Sequence, residues 1–416
     1  MASSKIVACI IATVLACSDA LRRQSSKVKA SDERAALARG LDYQSAGLDA
    51  PRKAYLMGTT KSASTWRYGP NWKDSFNGAI RKLGRTGCEV DDHDGTPIGN
   101  GESIGLVAGK LSLDPAQVSK LPRTFQTGIF RGCGSRCPQM PASIRFSHTN
   151  AANLDLQRIS LKLHTTKYGE VDFHFTETLK GFPIGNYDQL NAFSFSVRRG
   201  MPASVLRFPR EWAGMASQTS TLTANGVAEE TKKRGAMGKT YYSHLPFRLG
   251  SAGSSAGAFK VRLVAQQSPR HPGGSTKQAY LKNMRDQLVS NVEAGENKFS
   301  FEIQVATNPR DHDIMDAATI WNETSAPWVR MGTMSIQKQL FKKPVNVCNV
   351  VGSGLWVGGR APFNSKELAF LPANDAHPPV GDVGHFRSYL YPLYDRERQE
   401  VLLGKPGGAP ARCPLR

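Results

Sequence analysis

Apolar and polar residues alternate over several short stretches of the chain. Val171, Phe173 and Phe175 fall on one side of an extended segment, with Asp172, His174 and Thr176 on the other, which predicts a half-buried strand. The same period places Phe299, Phe301, Ile303 and Val305 opposite Ser300, Glu302 and Gln304, and a less regular version runs from Lys260 to Ala265. Several strands of this kind predict a sheet or a barrel. Between them the period changes. Leu281, Met284, Leu288 and Val292 recur at helical spacing, Ser275 and Gln278 fit a capping box, and Gly295 ends the segment, so one amphipathic helix is expected there. Gly/Ser/Pro-rich stretches at Gly250–Gly257 and Pro269–Gly274 flank the strand around Val261. They read as loops inside one domain, because alternation resumes on both sides.

The N-terminus has a different character. Lys5, the apolar run Ile6–Ala16 and the small residues Ser18 and Ala20 match a secretory signal peptide, so residues 1–20 are expected to be removed and the mature chain to start near Leu21. No later apolar run reaches the ~20 residues that a spanning helix needs, so the mature chain is expected to be soluble. Residues 21–55 are basic and Ser/Ala-rich without alternation, as in a mobile arm or a second targeting element that would redirect the protein to a plastid. The expected domain is 56–416, with its core at about 100–400.

Composition narrows the function classes. The 416 residues are 40% hydrophobic and 21% charged, an ordinary globular balance, and carry a formal charge of +20. That charge favours an anionic surface or polymer as partner. The basic residues are scattered and not interleaved with aromatics, so no specific nucleic-acid binding is expected. Cys88, Cys133, Cys137, Cys348 and Cys413 remain after removal of the signal peptide, an odd number in an oxidising compartment. Cys133 and Cys137 lack the second ligand pair of a zinc site, which leaves a disulfide or inert thiols. Gly105-x-x-x-Gly109-Lys110 is one residue short of a phosphate loop and is followed by Leu111. No Gly-x-Ser-x-Gly elbow, His-Glu-x-x-His helix or thioredoxin-type Cys-x-x-Cys occurs, so hydrolase, metalloprotease and disulfide-exchange readings have no support. Asn322-Glu323-Thr324 is a glycosylation sequon in an expected loop.

Six segments in order resemble the catalase-like haem-dependent family. They are Ile144-Arg145-Phe146-Ser147 with Ile159–Leu163, Asp172-Phe173, Tyr241–Gly250 leading to Lys260, Tyr280-Leu281 with Phe301–Gln304, Asp316–Trp321, and His377–Val383 followed by Arg387–Pro392. The resemblance implies an α+β fold, a catalase-like antiparallel β-barrel with surrounding helices, and haem b as cofactor. It makes Tyr391 the iron ligand, Arg145 the partner of a haem propionate, and Arg387 the cation that favours the Tyr391 phenolate. A tyrosine four residues after an arginine shares its helix face, so the guanidinium can lower the phenol pKa. A forked guanidinium suits a propionate.

The pattern departs from the family where a proton must move. Asn100 stands at the position of the family's distal histidine, and an amide does not take up a proton at neutral pH; His93 would serve only with an insertion. Glu177 occupies the neighbourhood of the distal asparagine, and Ser147 completes the expected catalytic set. The sequence therefore implies an oxidoreductase acting on an organic or lipid hydroperoxide in preference to fast hydrogen peroxide dismutation. The alternative is a non-catalytic protein of the same fold that binds an apolar ligand or an anionic partner.

Overall fold

The structure is a computed structural model. It describes residues 102–384 and Arg387, save for 343–355, 359–375 and shorter breaks at 152–153, 178–180, 200, 227–233, 244, 252–256, 271–272, 275–276 and 309. Asn100, Tyr391 and the segments read as signal peptide and basic arm lie outside these residues.

Eleven strands among the described residues form one sheet that closes on itself. They are β1 (Glu102–Leu113), β2 (Gln139–Ala151), β3 (Leu154–Thr165), β4 (Gly169–Glu177), β5 (Thr240–Ser243), β6 (Phe247–Leu249), β7 (Gly257–Ala265), β8 (Asn297–Val305), β9 (Trp328–Ile336), β10 (Phe341–Lys342) and β11 (Trp356–Gly358). The path β1-β2-β3-β4-β5-β7-β8-β9 is antiparallel throughout. It returns to β1 through the pairs Lys110–Ser335 to Leu113–Gly332, giving an eight-stranded barrel. The fold is α+β, the antiparallel barrel with surrounding helices that the sequence implied. At the seam, a Cβ on Gly332 would stand 2.4 Å from the Ser112 carbonyl oxygen and one on Gly109 2.7 Å from that of Ser335, so glycine permits the backbones to approach. Above the seam β1 takes a second neighbour, β11, parallel at Gly105 and Leu106.

Alternation fills the interior. Ala142, Ile144 and Phe146 of β2 lie level with Leu163, Leu161 and Ile159 of β3, and those with Val171, Phe173 and Phe175 of β4. All nine are buried in one cluster with the inward residues of β7, β8 and β9. Phe173 meets Phe301 of β8 edge-on at 6.4 Å and Phe247 at 4.9 Å, so the rings touch across the barrel.

Four longer helices accompany the barrel: α1 (Tyr187–Arg199), α2 (Met201–Arg207), α3 (Pro209–Gly226) and α4 (Lys277–Ala294). α4 is the helix expected from the 3.6-residue period, and Leu281, Met284, Leu288 and Val292 all join the barrel core. Burying four such side chains contributes on the order of 6–12 kcal/mol before entropy is subtracted. Cys133 and Cys137 are joined by a disulfide. Asn322 is exposed in a turn, as its sequon context implied.

One expectation is corrected. β4 was read as half-buried, yet Asp172, His174 and Thr176 are as buried as the phenylalanines between them. Polar alternation marks the outer face of the barrel, but that face is covered and its groups bond laterally. Lys162 Nζ donates to Glu170 at 2.7 Å and Asp172 at 3.0 Å, and Ser160 Oγ lies 3.1 Å from His174 Nδ1.

Candidate functional site on the outer face of the barrel

The strand period determines which residues share this face. On β2, Ser143, Arg145 and Ser147 alternate with the core residues and point outward. The register lines each up with two neighbours: Ser143 with Lys162 and Asp172, Arg145 with Ser160 and His174, and Ser147 with Arg158 and Thr176. Except for half-buried Arg158, every member of the three rows is buried.

The rows differ in how their polarity is met. In the first, Lys162 is wholly buried and held by two carboxylates, a closed ionic group. In the second, Arg145 Nη2 approaches Ser160 Oγ at 3.5 Å, and Ser160 in turn holds His174. In the third, Ser147 Oγ and Thr176 Oγ1 are buried without a hydrogen-bond partner among the described residues. A buried hydroxyl left unsatisfied costs ~1–3 kcal/mol, so two in one row, on β2 and β4 with Arg158 of β3 between them, favour an occupant that accepts hydrogen bonds. The only carboxylates in the three rows and their edge, Asp172 and Glu170, are already neutralised by Lys162. The face presents hydroxyl and guanidinium donors, chemistry that suits an anionic, oxygen-rich ligand.

The structure brings Arg145 and Ser147 together and sets Glu177 apart. Glu177 lies next to Thr176 and faces inward, where it accepts a hydrogen bond from the Gln157 amide at 2.9 Å and forms a buried ion pair with Lys239. Around it, Gln157 Nε2 donates to Tyr280 Oη at 3.0 Å, Tyr241 Oη donates to the Ala236 carbonyl at 2.7 Å, and Tyr280 meets His148 edge-on at 5.2 Å. This network ties β3, β4 and β5 to α4. Thr176, placed by the sequence on the polar side of the strand but given no site role, stands in the row of Ser147. Two-residue counting along β4 from Asp172 was the available signal. Arg387 lies in a separate small cluster, its guanidinium 4.2 Å above the ring of Phe182, which packs with Leu245, Ala317 and Val383.

Two other segments of the resemblance have structural explanations. Lys260 points outward from β7, wholly buried, and its Nζ donates to the Thr319 carbonyl at 2.7 Å and lies 5.0 Å from the Trp321 ring. Burial pulls its pKa down to about 7, with the nearby Asp316 opposing the shift. Asp316–Trp321 thus wraps the outer face at β7 and β8, with Trp321 Nε1 donating to the Asp313 carbonyl at 3.3 Å. Burial pushes the Asp316 carboxyl up, and its Oδ1 accepts from the Ala318 amide at 2.8 Å.

His377 is a buried clamp. Its Nε2 accepts from the Ile129 amide at 3.1 Å and its Nδ1 donates to the Arg248 carbonyl at 3.0 Å. The ring lies between Phe130 at 5.6 Å and Phe259 at 5.0 Å, and burial lowers its pKa to about 4. Gly128, at φ +57°, packs where a Cβ would stand 2.3 Å from His377 Nε2.

Among the described residues no three of His, Cys, Asp and Glu are grouped to hold a metal ion, and the expected ligand Tyr391 lies outside them.

No protein-family model matches the chain, and no curated protein matches it. Solved structures similar to it include a fungal catalase, at 14% identity and a TM-score of 0.49 over 74% of this chain and 61% of that one. A bacterial catalase has 14% identity and a TM-score of 0.48 over 74% and 59%. Catalase A from Saccharomyces cerevisiae has 13% identity and a TM-score of 0.48 over 71% and 60%. The chain spans about three fifths of the length of these catalases.

Proposed function

We propose that this chain binds haem b against the outer face of β2–β4 and acts on a peroxide, an organic or lipid hydroperoxide in preference to hydrogen peroxide. The observation that carries the reading is two buried hydroxyls without a partner among the described residues, Ser147 and Thr176, in the same patch as Arg145, with Arg145 and Ser147 in the segment that resembles the family's Arg-Phe-Ser strand. Arg145 is suited to hold a propionate. Tyr391, preceded by Arg387, would supply a phenolate to ferric iron. Bound haem would supply the redox-active iron.

The chain's own residues then orient the substrate. Ser147 and Thr176 donate hydrogen bonds to oxygens of the bound molecules from opposite ends of their row, but an alcohol does not take up a proton at neutral pH, and neither does the amide of Asn100. Without a proton-accepting group at that position, fast hydrogen peroxide dismutation is not expected, since such groups contribute roughly 10²–10⁴ in rate. Glu177 stays with Lys239 inside the barrel and takes no part at the site.

Reconstitution of the purified chain with haemin tests the proposal. The expected result is a Soret band that Tyr391→Phe abolishes or shifts and that Tyr394→Phe leaves unchanged. Ser147→Ala with Thr176→Val should then lower organic hydroperoxide turnover on the order of tenfold with the Soret band intact. A chain that gives no Soret band, or a Tyr391→Phe variant identical to wild type, would replace this reading with the non-catalytic one.

A further inference from the structure

The segment between β4 and β5 carries the largest exposed apolar side chains of the described residues apart from Leu340. Leu206 is 85% exposed, Met201 52%, Val205 41% and Phe193 37%, all within 14 positions of α1 and α2. Isolated exposed leucines are ordinary on soluble proteins; four large exposed apolar residues within 14 positions are not.

The junction does not depend on these residues to hold together. Ser204, the buried residue of α2, donates from Oγ to the Ala192 carbonyl at 2.6 Å and accepts from Trp212 Nε1 at 3.0 Å, which links α1, α2 and α3. Phe195 and Phe208 meet edge-on at 5.5 Å, and the Arg207 guanidinium lies over both rings, at 5.0 and 5.5 Å. Leu206, Met201 and Val205 are left outside this brace, facing water.

The charge around them is mainly positive. From 193 to 211 the chain carries Arg198, Arg199, Arg207 and Arg210 against one carboxylate, Glu211. Arg199, Arg207 and Arg210 are exposed beside the apolar residues. Aliphatic side chains interspersed with exposed arginine suit the boundary between lipid headgroups and acyl chains, where apolar groups insert and guanidinium groups meet phosphate. No helix of the described residues is long and apolar enough to cross a membrane, so contact through these helices would be at the surface.

We propose that α2 and the end of α1 dock on an anionic phospholipid bilayer, inserting Leu206, Met201 and Val205 while Arg199 and Arg210 bind headgroup phosphates. The proposal is independent of haem binding and would stand if the haem reading fell.

Sedimentation of the full chain with phosphatidylcholine vesicles containing about a quarter phosphatidylglycerol tests it. The wild type should pellet with these vesicles and less with pure phosphatidylcholine. Leu206→Glu should weaken binding by more than about tenfold, and Arg199→Gln with Arg210→Gln by about tenfold or more, with the arginine effect shrinking as salt rises. If Leu206→Glu does not fold, Leu206→Trp gives a second measurement, a blue-shifted emission component on addition of vesicles. Wild type left in the supernatant, binding that the variants do not change, or retention on an acidic polymer such as heparin without vesicle binding would each overturn the proposal.

Discussion

Substituting His377 with leucine removes a group that holds three parts of the chain. The imidazole accepts from Ile129 N–H and donates to the Arg248 carbonyl, and both partners would be left buried and unsatisfied. At ~1–3 kcal/mol for each, His377→Leu should cost roughly 2–6 kcal/mol at neutral pH. The substitution should also change how stability responds to acid. In the folded chain burial lowers the His377 pKa to about 4, against 6.5 when exposed. As pH falls below ~6.5 the unfolded chain therefore binds a proton that the folded chain refuses, and the equilibrium shifts toward unfolding until about pH 4. At 1.36 kcal/mol per unit, this one residue should remove about 2.5 kcal/mol between about pH 7.5 and about pH 4.5, a loss that leucine cannot show. Urea unfolding followed by circular dichroism at the two pH values measures the difference. Wild type should lose about 2.5 kcal/mol more than His377→Leu on acidification. Equal losses would mean that His377 is not buried as the neutral tautomer and would refute the reasoning.

Two further outcomes follow from the faces of the barrel. Glu177→Ala should cost ~3–5 kcal/mol by stranding Lys239, whereas Thr176→Val, which removes a hydroxyl with no partner among the described residues, should cost under ~1 kcal/mol; thermal melts of equal size would contradict the opposite placement of these neighbours. For Lys260 the unfolded side chain keeps its proton through neutral pH while the folded one, lowered to about 7, releases it above that value, so wild type should gain stability relative to Lys260→Met as pH rises from about 7 to about 10, and a flat difference in urea midpoints would argue against the buried placement.

The strands and α4 were legible in the sequence because their periods are strong: Val171, Phe173 and Phe175, and Leu281 through Val292, all reached the core they pointed to. The burial of the other face of β4 was not legible, because polar alternation reads as solvent exposure unless lateral partners such as Lys162 for Asp172 are known, and those are set by register between strands. The same period explains Glu177. Matching it to a family position by linear neighbourhood ignored that adjacent strand residues face opposite ways, and the outward group is Thr176. Helices α1 and α2 gave no clear signal, since Met201, Val205 and Leu206 are apolar without being buried. Arg145 and Ser147 were legible together because both the resemblance and a spacing of two put them on one face.

The seam of the barrel has a consequence for how the chain reaches its fold. Most neighbouring strands of the barrel are joined by short or moderate connections: β3 turns directly into β4, and β2 and β3 pair over ten residues. The seam pairs only four residues of β1 with β9, and Leu113 and Gly332 are separated by more than two hundred positions. Bringing such distant residues together costs roughly 4 kcal/mol more in chain entropy than closing the three-residue turn between β3 and β4. Four ladder pairs return little against that cost, so closure depends on the apolar interior being nearly assembled and belongs late in folding. Until then β1 and β9 are open edges, each able to recruit another chain, and the period before the seam zips is when this protein is most exposed to aggregation.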